Sequence, residues 1–250
     1  MGLKTTGKTR GKMDVAQVSI NDAEYPELLR KYPFSPPRVL YRIGEAIPSN
    51  KPLVAVAGTR EPSDYGRELA RRLGRELARN GFVVVTGFAS GVDAEATYGA
   101  MEASGHVIGV LPWLFEDGNK KRLMSNTVLR KLSMDGYSKY TIISENLVRD
   151  PANAEQLFAL RNRVIDGMSV AVIIVETRYK PQGWGTSFHI RFGLEVGKPV
   201  FIFMPTWAKD WAVWEGYREF IRRGATPVKS IEEVIALIRQ AIGPPTQPTP

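Results

Sequence analysis

Four short stretches of the chain combine residue types suited to holding phosphate groups. Gly58-Thr59-Arg60 follows the apolar run Val54-Ala55-Val56-Ala57. A glycine lets backbone approach an anion, a threonine hydroxyl donates to it, and a guanidinium grips two of its oxygens at once. The run Thr86-Gly87-Phe88-Ala89-Ser90-Gly91-Val92-Asp93 places Ser90 between two glycines in a turn that enters a helix. Free backbone N–H groups and the positive helix end are expected to meet there in one crevice. Arg161-Asn162-Arg163 supplies donors for a phosphate oxygen or a base edge. Gly183-Trp184-Gly185-Thr186-Ser187 offers two more glycines and two hydroxyls at a helix start.

Each stretch also has an ordinary structural reading. Gly58 could serve only its turn, with Arg60 salt-bridged, and one of the two arginines of the third stretch could pin a helix to the sheet through Glu145 or Glu176. Trp184 is as readily a packing lid as a stacking ring. The second turn is not the G-x-G-x-x-G dinucleotide fingerprint and lacks the Lys-Ser or Lys-Thr of nucleotide-triphosphatase loops. A dinucleotide oxidoreductase or an ATPase is therefore disfavoured.

The elements around these turns predict an α/β fold: a Rossmann-like, doubly wound, mostly parallel sheet with helices on both faces. Apolar β-branched runs at 53–57, 82–86, 107–111, 141–144, 170–175 and 200–203 alternate with helical patterns. An additional strand is expected at 39–43. After the first run, Tyr65, Leu69, Leu73 and Leu77 form one stripe of a helix that Ser63 caps and Gly81 ends, with Arg67, Arg71, Arg75 and Arg79 on its solvated face. Ser230-Ile231-Glu232-Glu233 reads as a capping box for a last helix. The expected divisions are a basic flexible tail at 1–17, a small N-terminal extension at 18–50, the Rossmann-like domain at 51–242 and a disordered tail at 243–250. In such a sheet, ligands sit beyond the carboxyl ends of the strands, where all four stretches fall.

Bulk composition narrows the chemistry. The 250 residues carry 34 Lys and Arg against 26 Asp and Glu, a formal charge of +8, which favours a polyanionic partner and makes nucleic acid the leading class. With no cysteine and two histidines, His106 and His189, thiolate chemistry is excluded and no metal or cofactor is expected. No apolar run reaches the roughly 20 residues of a membrane span, and a cytoplasmic protein without membrane contact is expected. His106 is read as a satisfied structural histidine and His189 as a neutral one on a helix surface. Trp207, Trp211, Trp214 and Tyr217 are read as packing.

Taken in order, the segments 54–60 with Tyr65-Gly66, GFVVVTGFASGVDAEATYGAM (81–101), Ile143-Ser144-Glu145, RNRVIDGMSVAVIIVET (161–177) and GLEVGKPVFIFMP (193–205) resemble the DNA-processing protein A family, also called DprA or Smf. The resemblance covers about residues 20–205. It implies a positive pocket for the backbone of single-stranded DNA, with no catalytic residue, lined by Gly58, Thr59, Arg60, Gly87, Ser90, Gly91, Arg161, Asn162, Arg163, Gly185 and Thr186. Where the family has Tyr-Pro and an Asn after its third strand, this chain reads 111–119 as LPWLFEDGN; Asn119 is aligned with that asparagine and Lys120 or Lys121 with the pocket cation. His189-Ile190 replaces a Thr-Ala pair. A homodimer and a recombinase partner are further implications. Two alternatives use the same phosphate chemistry: a phosphoribohydrolase of the lysine-decarboxylase-like group, with Glu145, Glu176 or Asp93 as its carboxylate, and a nucleotide-sensing module.

Overall fold

The computed structural model describes residues 14–115, 126–183 and 185–243. Within them one nine-stranded sheet has the order β1-β2-β6-β5-β4-β3-β7-β8-β9. The strands are β1 (Ala16–Ser19), β2 (Val39–Gly44), β3 (Leu53–Ala57), β4 (Val83–Thr86), β5 (Val107–Val110), β6 (Tyr140–Ser144), β7 (Ala171–Ile174), β8 (Val200–Phe203) and β9 (Thr226–Val228). All ladders from β6 to β9 are parallel, while β1 with β2 and β2 with β6 are antiparallel. The chain winds outward from β3 through β4, β5 and β6, then returns to lay β7 on the other side of β3. That reversal makes the carboxyl ends of β3 and β7 the switch point of the sheet.

The helices are α1 (Glu27–Arg30), α2 (Asp64–Arg79), α3 (Val92–Glu102), α4 (Thr127–Met134), α5 (Ala154–Met168), α6 (Phe188–Phe192), α7 (Trp211–Arg222) and α8 (Ile231–Ile242). Parallel strands covered on both faces bury every side chain, and β3, β4, β5, β7 and β8 do so. Helices α2, α3, α4 and α8 pack on one face, where Leu73, Val92, Leu132 and Val234 meet Val54 and Val56. Helices α1, α5, α6 and α7 pack on the other, through Leu29, Ile165, Ile190 and Phe220.

Helix α2 follows its sequence signals: the Ser63 hydroxyl accepts from the Gly66 amide, and Gly81 has the positive φ of 84° that ends such helices. Two of its features differ from expectation. Tyr65 is half exposed rather than in the apolar stripe, because its ring stacks on Trp207 at 4.5 Å. Arg71 and Arg75 are not simply solvated but pair with Glu95 and Glu102 of α3. Gly74 and Gly99 bring α2 and α3 into backbone contact, since a Cβ on either would overlap the Ala96 or Arg71 carbonyl of the other helix. The last helix is capped as its sequence suggests, with the Glu233 amide donating to the Ser230 hydroxyl at 3.1 Å. Strand β1 begins inside the stretch read as a basic tail. Among the described residues no helix is long and apolar enough to cross a membrane.

Candidate nucleic-acid interface

A cavity of about 350 Å³ opens beyond the carboxyl ends of β3, β4 and β5. Four of the expected site residues line it: Arg60 after β3, Gly87 and Ser90 after β4, and Arg161 on α5. Arg60 is exposed, and its guanidinium stands over the Phe158 ring at 5.9 Å. No ion pair ties Arg60 down among the described residues. Arg161 lies beneath it, 8% exposed, with its guanidinium filling the space where Gly87 lacks a side chain. Any Cβ at position 87 would displace that group, which explains the glycine.

Arg161 donates to the Val110 carbonyl at 3.4 Å, and its Nε has no hydrogen-bond partner among the described residues. The guanidinium is thus only partly satisfied by hydrogen bonds, and it stands at the cavity wall, where an anion or acceptor can complete it. Burial pushes the Arg161 pKa down; the nearby Asp93 opposes this, while Arg60 adds to it. Two cations facing one cavity repel each other, and an anion placed between them relieves both.

Three of the turn amides point into the protein rather than into the cavity. The Gly87 amide donates to the Asp93 carboxylate at 2.9 Å, the Thr59 amide to the Glu176 carbonyl at 2.7 Å, and the Val92 amide to the Thr59 carbonyl at 3.2 Å. These three donors are consumed inside the protein, and the charge at the cavity comes from its two guanidinium groups. Gly58 and Gly91 serve that internal network: a side chain on Gly58 would overlap Val92, and Gly91, at φ 80°, lies against the Thr59 and Arg60 backbone. The Thr59 hydroxyl accepts from the Glu61 amide at 3.3 Å.

The remaining residues divide into two groups. Asn162 is buried and its Nδ2 donates to the Gly185 carbonyl at 3.3 Å, while the buried Thr186 hydroxyl bonds to that of Thr177. These residues are not among those that line the cavity. Arg163 is turned away: it makes a two-pronged pair with Glu145, at 3.1 and 2.6 Å, and so fills the structural role allowed for one arginine of that stretch. Trp184, Asn119, Lys120 and Lys121 lie outside the described residues.

Behind Arg161 sits a second layer of buried charge. Asp93 is pushed up by burial and pulled back by Arg161, by the Gly87 amide and by His189. His189 is only 3% exposed, not on a helix surface, and its Nδ1 lies 2.6 Å from Asp166. Burial also raises the Asp166 carboxyl, opposed by His189 and Lys198. The sequence reading missed this pair because α6 is too short to show an amphipathic period.

The aromatic wall was missed as well. Trp113, after β5, meets Phe158 edge to face at 5.1 Å and carries the Arg149 guanidinium at 5.4 Å. Phe158 is 41% exposed and three residues before Arg161, hence on the same side of α5. Asn126 closes the cavity as the cap of α4, its Nδ2 donating to the Phe88 carbonyl at 2.9 Å. That bond helps hold Phe88 at a φ of 49°, an uncommon conformation for a bulky residue. The arrangement offers charge for a phosphate and ring faces for a base. The three carboxylates of the neighbourhood have partners: Glu145 pairs with Arg163, Asp93 accepts from the Gly87 amide, and Glu176 accepts from the Ser63 hydroxyl and the Trp207 indole.

A family model described as DNA recombination-mediator protein A matches residues 16–239. The DNA processing protein DprA of Bacillus subtilis is 28% identical over 218 residues, 87% of this chain and 69% of that protein. Protein Smf of Synechocystis is 30% identical over 220 residues, 86% of this chain and 52% of that protein. Among solved structures, DprA of Streptococcus pneumoniae superposes with a TM-score of 0.73 at 26% identity, covering 88% of this chain and 73% of that one. The DNA processing protein A structure from Helicobacter pylori, described for its single-stranded DNA binding mode, gives a TM-score of 0.72 at 25% identity, covering 91% of this chain and 97% of that one. A molybdenum cofactor binding protein from Rippkaea orientalis shares the fold alone, with a TM-score of 0.54 at 24% identity, covering 77% of this chain and 98% of that one.

Proposed function

Because the chain belongs to the DNA recombination-mediator protein A family, we propose that it binds single-stranded DNA in the cavity between Arg60 and Arg161 and acts in DNA processing or recombination. The observation that carries this reading is the pair of guanidinium groups at one cavity, the inner one buried with an unpartnered Nε and the outer one free of any carboxylate among the described residues. Phosphate takes the charge, and the Trp113 and Phe158 rings take a base by stacking, which tolerates any sequence because every base has a π face.

Gly87 and Ser90 form the floor and rim of this site. Gly58, Thr59, Gly91, Asn162, Gly185 and Thr186 act on it from behind by fixing the turns. The binding step needs no catalytic residue and no cofactor. A recombinase partner and a homodimer are carried by the family likeness, and a cytoplasmic setting fits a DNA-processing role.

A salt titration with a dT oligomer tests the site. Affinity is expected to fall by about 0.7 log units per tenfold rise in salt for each phosphate engaged, with a mononucleotide responding far less. Arg60→Ala should weaken oligomer binding about tenfold, as expected for a charged donor lost at an exposed rim, and lower the salt slope without altering the melting temperature. Unchanged affinity and slope would remove Arg60 from the site.

A further inference from the structure

Two strands beyond Arg60 the same edge of the sheet carries a second basic and aromatic feature that the cavity does not include. Strand β7 is followed by Arg178-Tyr179-Lys180, and β8 by Lys209-Asp210-Trp211. The Tyr179 amide donates to the Ala212 carbonyl at 2.8 Å, which anchors this loop on the first turn of α7. The Tyr179 and Trp211 rings consequently meet edge to face at 6.1 Å. Trp211 is 63% exposed, the most open tryptophan among the described residues, and Lys180 and Lys209 flank it in solvent. Arg178 pairs with Asp210 at 2.5 Å, and the other oxygen of Asp210 caps α7 by accepting from the Ala212 amide at 2.8 Å. The local balance is therefore three cations to one carboxylate that is already engaged.

A single exposed indole is ordinary; here it is paired with the Tyr179 ring beside exposed lysines, and the paired feature is the informative one. Its placement also matters. Parallel strands are spaced by about 4.8 Å, so β8 lies roughly 10 Å across the sheet from β3, and both strands end on the edge where the first cavity opens. Single-strand sites combine a basic track with rings on which successive bases stack. We propose that Trp211 and Tyr179, with Lys180 and Lys209, form a second stacking subsite that receives the same nucleic-acid strand after it leaves the Arg60–Arg161 cavity. The strand crosses the carboxyl edge of the sheet from β5 towards β8, and the ligand class is single-stranded nucleic acid of any sequence. This inference rests on the reading of the cavity given above.

The test compares dT oligomers of about 4 and about 12 nucleotides, lengths that bracket common single-strand site sizes. Trp211→Ala should weaken the longer oligomer about tenfold and the shorter one much less, with an unchanged melting curve because the side chain is exposed. Trp211→Phe, which keeps a ring, should restore most of the loss, and ultraviolet crosslinking of the longer oligomer should label Trp211 or Tyr179. Equal affinity of wild type and Trp211→Ala for both lengths overturns the subsite. A Trp211→Ala effect on oligomeric state with none on DNA also overturns it, making the patch a protein contact. Failure of the cavity reading has a different signature, because there Arg60→Ala leaves even the short oligomer unaffected.

Discussion

The two edges of the sheet each hold a cavity, and the larger one is the less promising. At the amino edge, about 510 Å³ opens between α4 and the β2–β6 ladder, walled by Leu129, Leu132, Tyr137 and Ile142. The polar groups nearby have partners within the fold. The Tyr137 hydroxyl donates to the Gly105 carbonyl, and burial pushes its pKa up to about 12. His106 Nε2 lies 2.7 Å from the Thr141 hydroxyl, which in turn donates to the Glu45 carbonyl at 2.9 Å. The carboxyl-edge cavity has about 350 Å³ and leaves a buried guanidinium nitrogen without a partner. A guanidinium that faces a cavity can be completed by an anion, whereas volume alone measures only imperfect packing.

The comparison breaks most directly at Arg161. Arg161→Met keeps much of the side-chain volume and removes the buried charge. It should lower dT affinity by about 30- to 100-fold, as expected for losing about 2–3 kcal/mol of charged hydrogen bonding. Fluorescence anisotropy checks this, and wild-type affinity in a folded variant would move the ligand elsewhere.

Arg163, two residues along, gives the contrast within one helix. Arg163→Met breaks the pair with Glu145, whose two side chains are largely but not fully shielded from solvent. Stability should fall by about 1–3 kcal/mol, lowering Tm by roughly 2–4 °C per kcal/mol at this chain length. DNA affinity should stay within about twofold. A binding loss as large as that of Arg161→Met would erase the distinction between the two arginines.

The smallest effect belongs to the amino edge and concerns pH. Burial holds the His106 pKa below its ordinary value of 6.5, with Glu45 opposing. The unfolded chain thus takes up this proton before the folded chain does, so stability attributable to His106 is present above that value and is lost as pH falls through it. His106→Asn should flatten the fall in Tm between about pH 7 and pH 5 by on the order of a few degrees, with DNA affinity unchanged at pH 7. Parallel Tm profiles for variant and wild type would mean that His106 is not held neutral.

Much of this architecture was legible from the residues. All seven expected strands form, because runs such as Val83-Val84-Val85 have no stable alternative to a doubly covered sheet. The two strands missed are at the edges. β1 buries only Val18, and β9 carries Pro227, which a strand tolerates only where its N–H is not needed. At the carboxyl edge, the rule that ligands lie past strand ends points to Arg60, Gly87 and Ser90, and these three line the cavity found there. It could not choose between Arg161 and Arg163, because residues two apart on a helix point about 200° from each other and the phase of α5 is set by tertiary packing. Amide direction was also out of reach: whether the Gly87 N–H faces a ligand or Asp93 depends on where α3 begins, and Gly91 at φ 80° decides that.

The glycine contact between α2 and α3 bears on how the site can change shape. With carbonyl oxygens seated where side chains would otherwise stand, the two helices have no slack to slide, so the turns after β3 and β4 ride on a single stiff block. Any adjustment at the cavity then falls to the opposite wall, formed by the α4 cap and the exposed Phe158 ring of α5.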